Sequence, residues 1–394
     1  MAALAGRAPD LGLIRADVVA LAGMTRDSAG AGERQAAAWA AGRLREAGVA
    51  DVALEPYRGR ATNSWSFAAH GAAGLLAGRT GGARGAALAL ATLASLERDV
   101  SGRAPWRRRL VGGGQGASVV ARLPARGPAA ATAVIVAHLD AARTGLAWHP
   151  RVNAFGAARA LRTRRADPVM GLQGAALLAT AATALAGRSR IVRRVGRGAA
   201  VLHATALALN LDIARSPTVP GANDNATGVA VALDLARALV TDPLDRVEVL
   251  IALVGSEESG MGGFHAVLQA QPLEASRAFV LGLDTLGSGT PILAAGEGAM
   301  RTHRYAERDL ALVDAGARRA GRPAPQRWRI GAWTDPLLAL TRGIPAASLL
   351  SIGPGYYPHY HHPSDRPEYV DWDSVGACAR IAAGTLAELD AARA

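Results

Sequence analysis

Seven side chains stand out by type and position: His138 and Asp140 in AHLD, Asp224 in GANDNATG, Glu257 and Glu258 in GSEESG, Asp284 in LGLD, and His361 in PHYHHPSD. Imidazoles and carboxylates without a thiolate make a nitrogen and oxygen site, which suits Zn and also Mn or Co. A lone cysteine, Cys378, excludes both a multi-cysteine metal site and an intramolecular disulfide framework. Two metals about 3.5–4 Å apart need a carboxylate to bridge them. The adjacent Glu257 and Glu258 can divide the work, one binding metal and the other moving a proton. Asp140, two residues past His138, suits the second imidazole nitrogen. Taken singly, each motif has an ordinary explanation. HxD is commonly a turn, an acidic pair at a helix start complements the dipole, GANDNATG reads as a loop and N-cap, and the HH pair as surface. The ordered set, each member beside a strand end or helix start, is what points to chemistry.

Strands must bring these residues together. Continuous apolar runs lie at 117–124, 132–140, 247–256, 278–284 and 345–353. Helical stretches occupy 226–241, 258–270, 307–320 and 371–392, and residues 10–48 read as two helices, the second ending before Gly48. Buried strands alternating with helices predict an α/β fold: a mixed, mostly parallel sheet sandwiched by helices. In such sheets ligands bind beyond the carboxyl ends of the strands, where residues distant in sequence converge.

Two stretches break the alternation. Residues 61–78 and 168–187 are uncharged; after an Arg-bearing break come GAALALATLASL and GAAVLHATALALNL. Each reads as an inserted helical hairpin, giving one catalytic domain over 1–394 with insertions at 61–112 and 150–215. A soluble cap over the site and a membrane-associated unit both satisfy these Ala- and Gly-rich runs, of which only two approach the ~20 residues of a bilayer span. Arginines flank both sides of the second hairpin, so they give no clean orientation. The chain has 394 residues, half of them apolar, 44 arginines and no lysine, and a formal charge of +12. That charge permits an anionic partner, but no nucleic-acid motif or aromatic stacking pattern accompanies it, so nucleic-acid binding is not expected. No cleavable signal peptide is read at the start of the sequence, and the compartment is left open between cytoplasm and membrane association.

The ordered set AHLD, GANDNATGVA, GSEESGMGG, LGLDTLG, TDPLLALTRGIPAASL and YHHPSD, with TRDSAGAGERQAAAWAAGRLREAGV before it, resembles the zinc-dependent exopeptidases of metallopeptidase family 28, the bacterial leucyl aminopeptidase type. The resemblance covers about two thirds of the chain. It implies a phosphorylase/hydrolase-like zinc-exopeptidase fold and two Zn²⁺ ions, with Co or Mn able to substitute. It further implies that His138 and Asp284 bind one ion, Asp224 bridges, Glu258 and His361 bind the second, and Glu257 is the general base. His361 is preferred to His359 or His362 because Tyr360, His361 and Asp365 match the family's spacing. The implied reaction is aminopeptidase hydrolysis of a peptide with a free N-terminus. A glutaminyl-cyclase-like acyl transfer with one zinc is the alternative, against which His138 with Asp140 speaks; a non-catalytic, membrane-associated relative is another. Trp148, Trp333, Tyr356 and Tyr357 are expected near the pocket. The long segment from His138 to Asp224 departs from the family pattern.

Overall fold

The computed structural model describes residues 2–102, 113–166, 169–186, 189–354, 356–357 and 359–393. The expected helices of residues 10–48 are α2 (Leu11–Ala22) and α3 (Ala31–Glu46), after a short α1 (Ala2–Gly6). There follow β1 (Asp51–Gly59), α4 (Ser64–Thr80), α5 (Gly82–Val100), β2 (Gly114–Leu123) and β3 (Ala131–His138). The second insertion contains α6 (Pro150–Thr163), β4 (Arg165–Ala166), α7 (Val169–Leu185) and α8 (Arg190–Arg215). The chain then runs through α9 (Thr227–Thr241), β5 (Val247–Val254), α10 (Gly262–Ala270), β6 (Ala278–Leu283), β7 (Thr290–Glu297) and β8 (His303–Arg304). It closes with α11 (Glu307–Arg319), β9 (Gln326–Ile330), α12 (Pro336–Leu340), β10 (Ala346–Ile352) and α13 (Trp372–Ala391).

The strands form one mixed sheet in the order β1-β2-β5-β3-β6-β10-β7-β9-β4, with β8 paired to β7. At its centre β5, β3, β6 and β10 are mutually parallel. Their residues are almost all buried, as continuous Val, Ile, Leu and Ala runs require when helices cover both faces. Parallel alignment puts the carboxyl ends of these four neighbours on one edge, and the runs read from sequence end there with His138, the 255–258 turn, Asp284 and the loop to His361. Strands β1, β4, β7, β8 and β9 fall outside the continuous apolar runs. β1 alternates exposed and half-buried residues at the sheet's edge, and its charged and proline-bearing sequence DVALEPYRG carries no apolar run.

The second insertion is more than a hairpin: α6 precedes it, and β4 adds a parallel edge strand to β9. The four long inserted helices pack together, with α4 against α8, α5 against α7, and each hairpin closed on itself. The part of the first insertion at 103–112 lies outside the described residues.

Candidate metal centre

His138 is the last residue of β3, so the strand fixes its direction toward the sheet edge. Its Nε2 lies 3.2 Å from Asp224 Oδ1 and 3.9 Å from Asp284 Oδ1. Asp224 comes from the short turn Ala222–Ala226 that leads into α9. Its other oxygen, Oδ2, lies 3.2 Å from Nε2 of His361, which is also 3.2 Å from Glu258 Oε2. One carboxylate thus stands between two imidazoles, each with a further carboxylate beside it. Glu257 lines the same cleft as Asp224, Glu258 and Asp284. His359 and His362 do not join this cluster; both hydrogen-bond Ser364 instead.

The outer layer is tightly hydrogen-bonded. Asp140 is fully buried, and it meets the His138 ring mainly through its backbone. The His138 Nδ1 partner is the Asp140 backbone carbonyl, at 3.0 Å, while the carboxylate is 3.6 Å away. The carboxylate accepts from the backbone N–H of Glu257 and of Glu258, at 3.0 and 3.2 Å, and from the Ser28 hydroxyl at 2.6 Å. Asp140 therefore fixes the His138 ring and the Glu257–Glu258 turn together. Asp365 does the same for the bridging position, accepting from the N–H of Asn223 and Asp224 at 2.8 and 3.0 Å. Arg26, wholly buried, donates to the carbonyls of Leu139, Pro220 and Gly221 and ties the loop after β3 to the loop before Asp224. Ser256, Thr285 and His361 hold left-handed backbone angles, φ 56°, 49° and 52°. Such strain gathers where side chains are aimed for function.

Two aromatic residues frame His361: Trp148 edge-on at 4.4 Å and Tyr360 stacked at 3.8 Å between ring centroids. Trp333 and Tyr357 line the cleft, and Trp333 Nε1 donates to the Glu257 carbonyl at 3.4 Å.

The electrostatics are those of crowded, dehydrated carboxylates. Burial pushes the Glu257 carboxyl well above its ordinary range, and pushes Asp284 up to about 7 against the pull of His138. Burial opposes ionisation of Asp224 too, but the two imidazoles together outweigh it and hold that carboxyl well below the usual range. Burial pulls both imidazoles down; the carboxylates around them win, leaving His138 well above its ordinary value and His361 at about 10. Asp335, in the TDPLL segment, is buried with Oδ1 unpartnered and is raised by that burial. Its position beside the acidic cluster was not read from the sequence, where it resembles a helix-capping Asp before Pro336.

The donor set fits a cation. Asp224 Oδ2, Glu258 Oε1 and His361 Nε2 are buried without a hydrogen-bond partner. Ligand atoms of His138, Asp224 and Glu258 lie within 4.8 Å of one another. Buried carboxylates in excess of buried cationic groups require a counter-charge, and oxygens with imidazole nitrogens suit a divalent transition metal.

Residues 205–386 match the model of peptidase family M28. The resemblance to metallopeptidase family 28 holds. A search of the curated proteins found no match. Among solved structures, the aminopeptidase from Aneurinibacillus sp. strain AM-1 is similar at 13% identity and a TM-score of 0.57, covering 98% of this chain and 95% of that one. BSAP, a zinc aminopeptidase from Bacillus subtilis, is similar at 14% identity and a TM-score of 0.55, covering 95% and 94%. A Bacteroides thetaiotaomicron glutaminyl cyclase bound to N-acetylhistamine is similar at 13% and 0.55, covering 97% and 99%. At these identities the likeness is one of fold: a mixed sheet with helices on both faces.

Proposed function

We propose that the chain is a metal-dependent aminopeptidase, cleaving the first peptide bond of substrates with a free N-terminus. The observation that carries this reading is the bridging place of Asp224, 3.2 Å from each of two imidazoles that have their own carboxylates. In this reading His138, Asp284 and Asp224 hold one divalent cation, and Asp224, Glu258 and His361 hold a second, with zinc the first choice. Cations so held would acidify a water and polarise a carbonyl.

The chain's own residues do the rest. Glu257 accepts the proton of the attacking water and returns it to the departing amine. Burial supports this, because it raises the Glu257 carboxyl well above its ordinary range and so favours holding a proton between the two transfers. Asp140 anchors the Glu257 backbone, and Trp333 anchors its carbonyl, so the general base approaches from a fixed direction. Trp333, Tyr357 and Tyr360 wall the cleft and limit water around the scissile bond. The likeness to a glutaminyl cyclase keeps one competing reaction in view, intramolecular attack by an N-terminal glutamine amine with release of ammonia.

The test is a panel of aminoacyl-chromogenic substrates and one N-terminal glutaminyl peptide, assayed after chelation and after return of zinc, cobalt or manganese. Metal-restored release of the amino acid is expected. Ammonia release from the glutaminyl peptide without aminopeptidase turnover would favour the cyclase reaction.

A further inference from the structure

The inserted helices carry apolar side chains on their outer faces as well as inside. In α7 the exposed positions are Leu172, Ala175, Leu178, Ala182 and Leu185, at spacings of three and four, and no charged residue occurs between 169 and 187. Leu172, Leu178 and Leu185 are 51%, 53% and 67% exposed. Leu76 on α4 and Leu90 on α5 are likewise half exposed. Eleven of the eighteen large apolar side chains exposed among the described residues lie on the two insertions. The inner faces hold buried apolar side chains as well, Phe67, Leu96, Val100 and Leu177 among them, together with small and polar residues. Gly71 and Gly74 lie directly against His203 of α8. Thr180 Oγ1 is 3.1 Å from His203 Nε2, and His70 is bonded to the Ser66 carbonyl and Ser95 hydroxyl. Small residues between helices, internal hydrogen bonds and an apolar outside form the packing pattern of helices in lipid.

Charge is segregated with it. Residues 61–112 and 150–215 contain eighteen arginines and four acidic residues, leaving twenty-six arginines and twenty-eight acidic residues in the rest of the chain. The excess positive charge of the molecule therefore belongs to the insertions. Five of these arginines gather at one end. Trp65 at the start of α4 stacks under Arg215 at the end of α8, and Gly74 meets His203, so the two helices run antiparallel. The far end of α4, with exposed Arg79 and Arg84, thus lies toward the start of α8, with exposed Arg190, Arg194 and Arg197. On α8 these arginines border the exposed Ile191 and Val195. The opposite end of the unit is joined to the catalytic domain by the Arg60–Asp99 ion pair at 2.9 Å and by Phe67 against Trp333 at 6.3 Å.

We propose that this four-helix unit seats the protein in the surface of an anionic lipid bilayer, its Ala and Leu faces against acyl chains and its arginines among the headgroups. Among the described residues no helix is long and apolar enough to cross a membrane. At 1.5 Å per residue α7 reaches only ~26 Å, short of a ~30 Å hydrocarbon core, so the seat is interfacial. Exposed leucines interspersed with arginines favour a lipid surface over a nucleic acid, which offers phosphate but no acyl phase to cover them.

Flotation of the purified full chain with vesicles tests this. The protein is expected to float with phosphatidylcholine vesicles containing phosphatidylglycerol and less with pure phosphatidylcholine, and the difference should shrink as salt rises. Leu178→Glu with Leu185→Glu should lower the bound fraction ~10-fold or more with unchanged circular dichroism and thermal midpoint, because both side chains already face outward. Arg194→Glu with Arg197→Glu should abolish the preference for anionic vesicles. A monodisperse chain that stays at the bottom of the gradient overturns the proposal. So does tight binding of duplex DNA without flotation, or a dimer that the leucine variant dissociates while neither form binds vesicles.

Discussion

Glu257 and Glu258 are neighbours with different surroundings. Glu258 faces His361 at 3.2 Å, whereas Glu257 is buried beside the cleft with its backbone fixed at both the N–H and the carbonyl. Removing the Glu257 carboxyl should leave the donor set complete while removing the proton carrier. Glu257→Gln is expected to lower turnover ~10²–10⁴-fold with metal content by elemental analysis unchanged; loss of metal would reverse the roles of the pair. Asp140 acts at one remove. Asp140→Ala leaves the Glu257 and Glu258 N–H groups without their acceptor, and apparent zinc affinity, titrated by competition with a chelating dye, should fall ~10–100-fold. That Asp140 matters was legible in AHLD, but not how. Sequence spacing suggested its carboxylate for the imidazole, while the folded chain turns so that its carbonyl takes that place. Arg26 and Asp335 left no signal of their own, because a buried arginine and a loop aspartate acquire their partners only when loops from distant strands meet.

At the level of elements, legibility followed burial. The four central strands and the helices that cover them are continuous apolar runs, and their ends fall within a few residues of the expected ones. Edge strand β1 and the Arg-bearing β9 lacked that signature, since a face open to solvent carries polar residues, and the mostly buried β7, TPILAAGE, holds only a short apolar run. Helix pairing is set by glycines no pattern marks. α11 and α13 cross at Gly316 and Gly384, where a Cβ on either would run into the backbone of the other. Alanine improves helix propensity at each by ~1 kcal/mol, yet Gly316→Ala and Gly384→Ala should each destabilise by ~1–3 kcal/mol through overpacking. A lowered urea midpoint with unchanged slope would show it.

Across the whole molecule, the candidate donors come from residues 138, 224, 258, 284 and 361, so a cation bound there would tie together the ends of the four central strands. Ligand held only by the folded state adds ~4 kcal/mol at a thousandfold excess over its dissociation constant. Chelation should therefore lower the thermal midpoint by several degrees, measured by calorimetry, and zinc should restore it.

The pairing of α4 with α8 and of α5 with α7 also has a consequence in time. The first hairpin is complete at residue 100, but its partner is not finished until residue 215. At a synthesis rate of ~5–20 residues per second, that interval is roughly 6–23 s. For that long, two nascent helices wait with both their inner and outer faces uncovered, while β2, β3 and α6 are still being made. Whatever first shelters them, chaperone or bilayer, meets this chain before its catalytic domain exists.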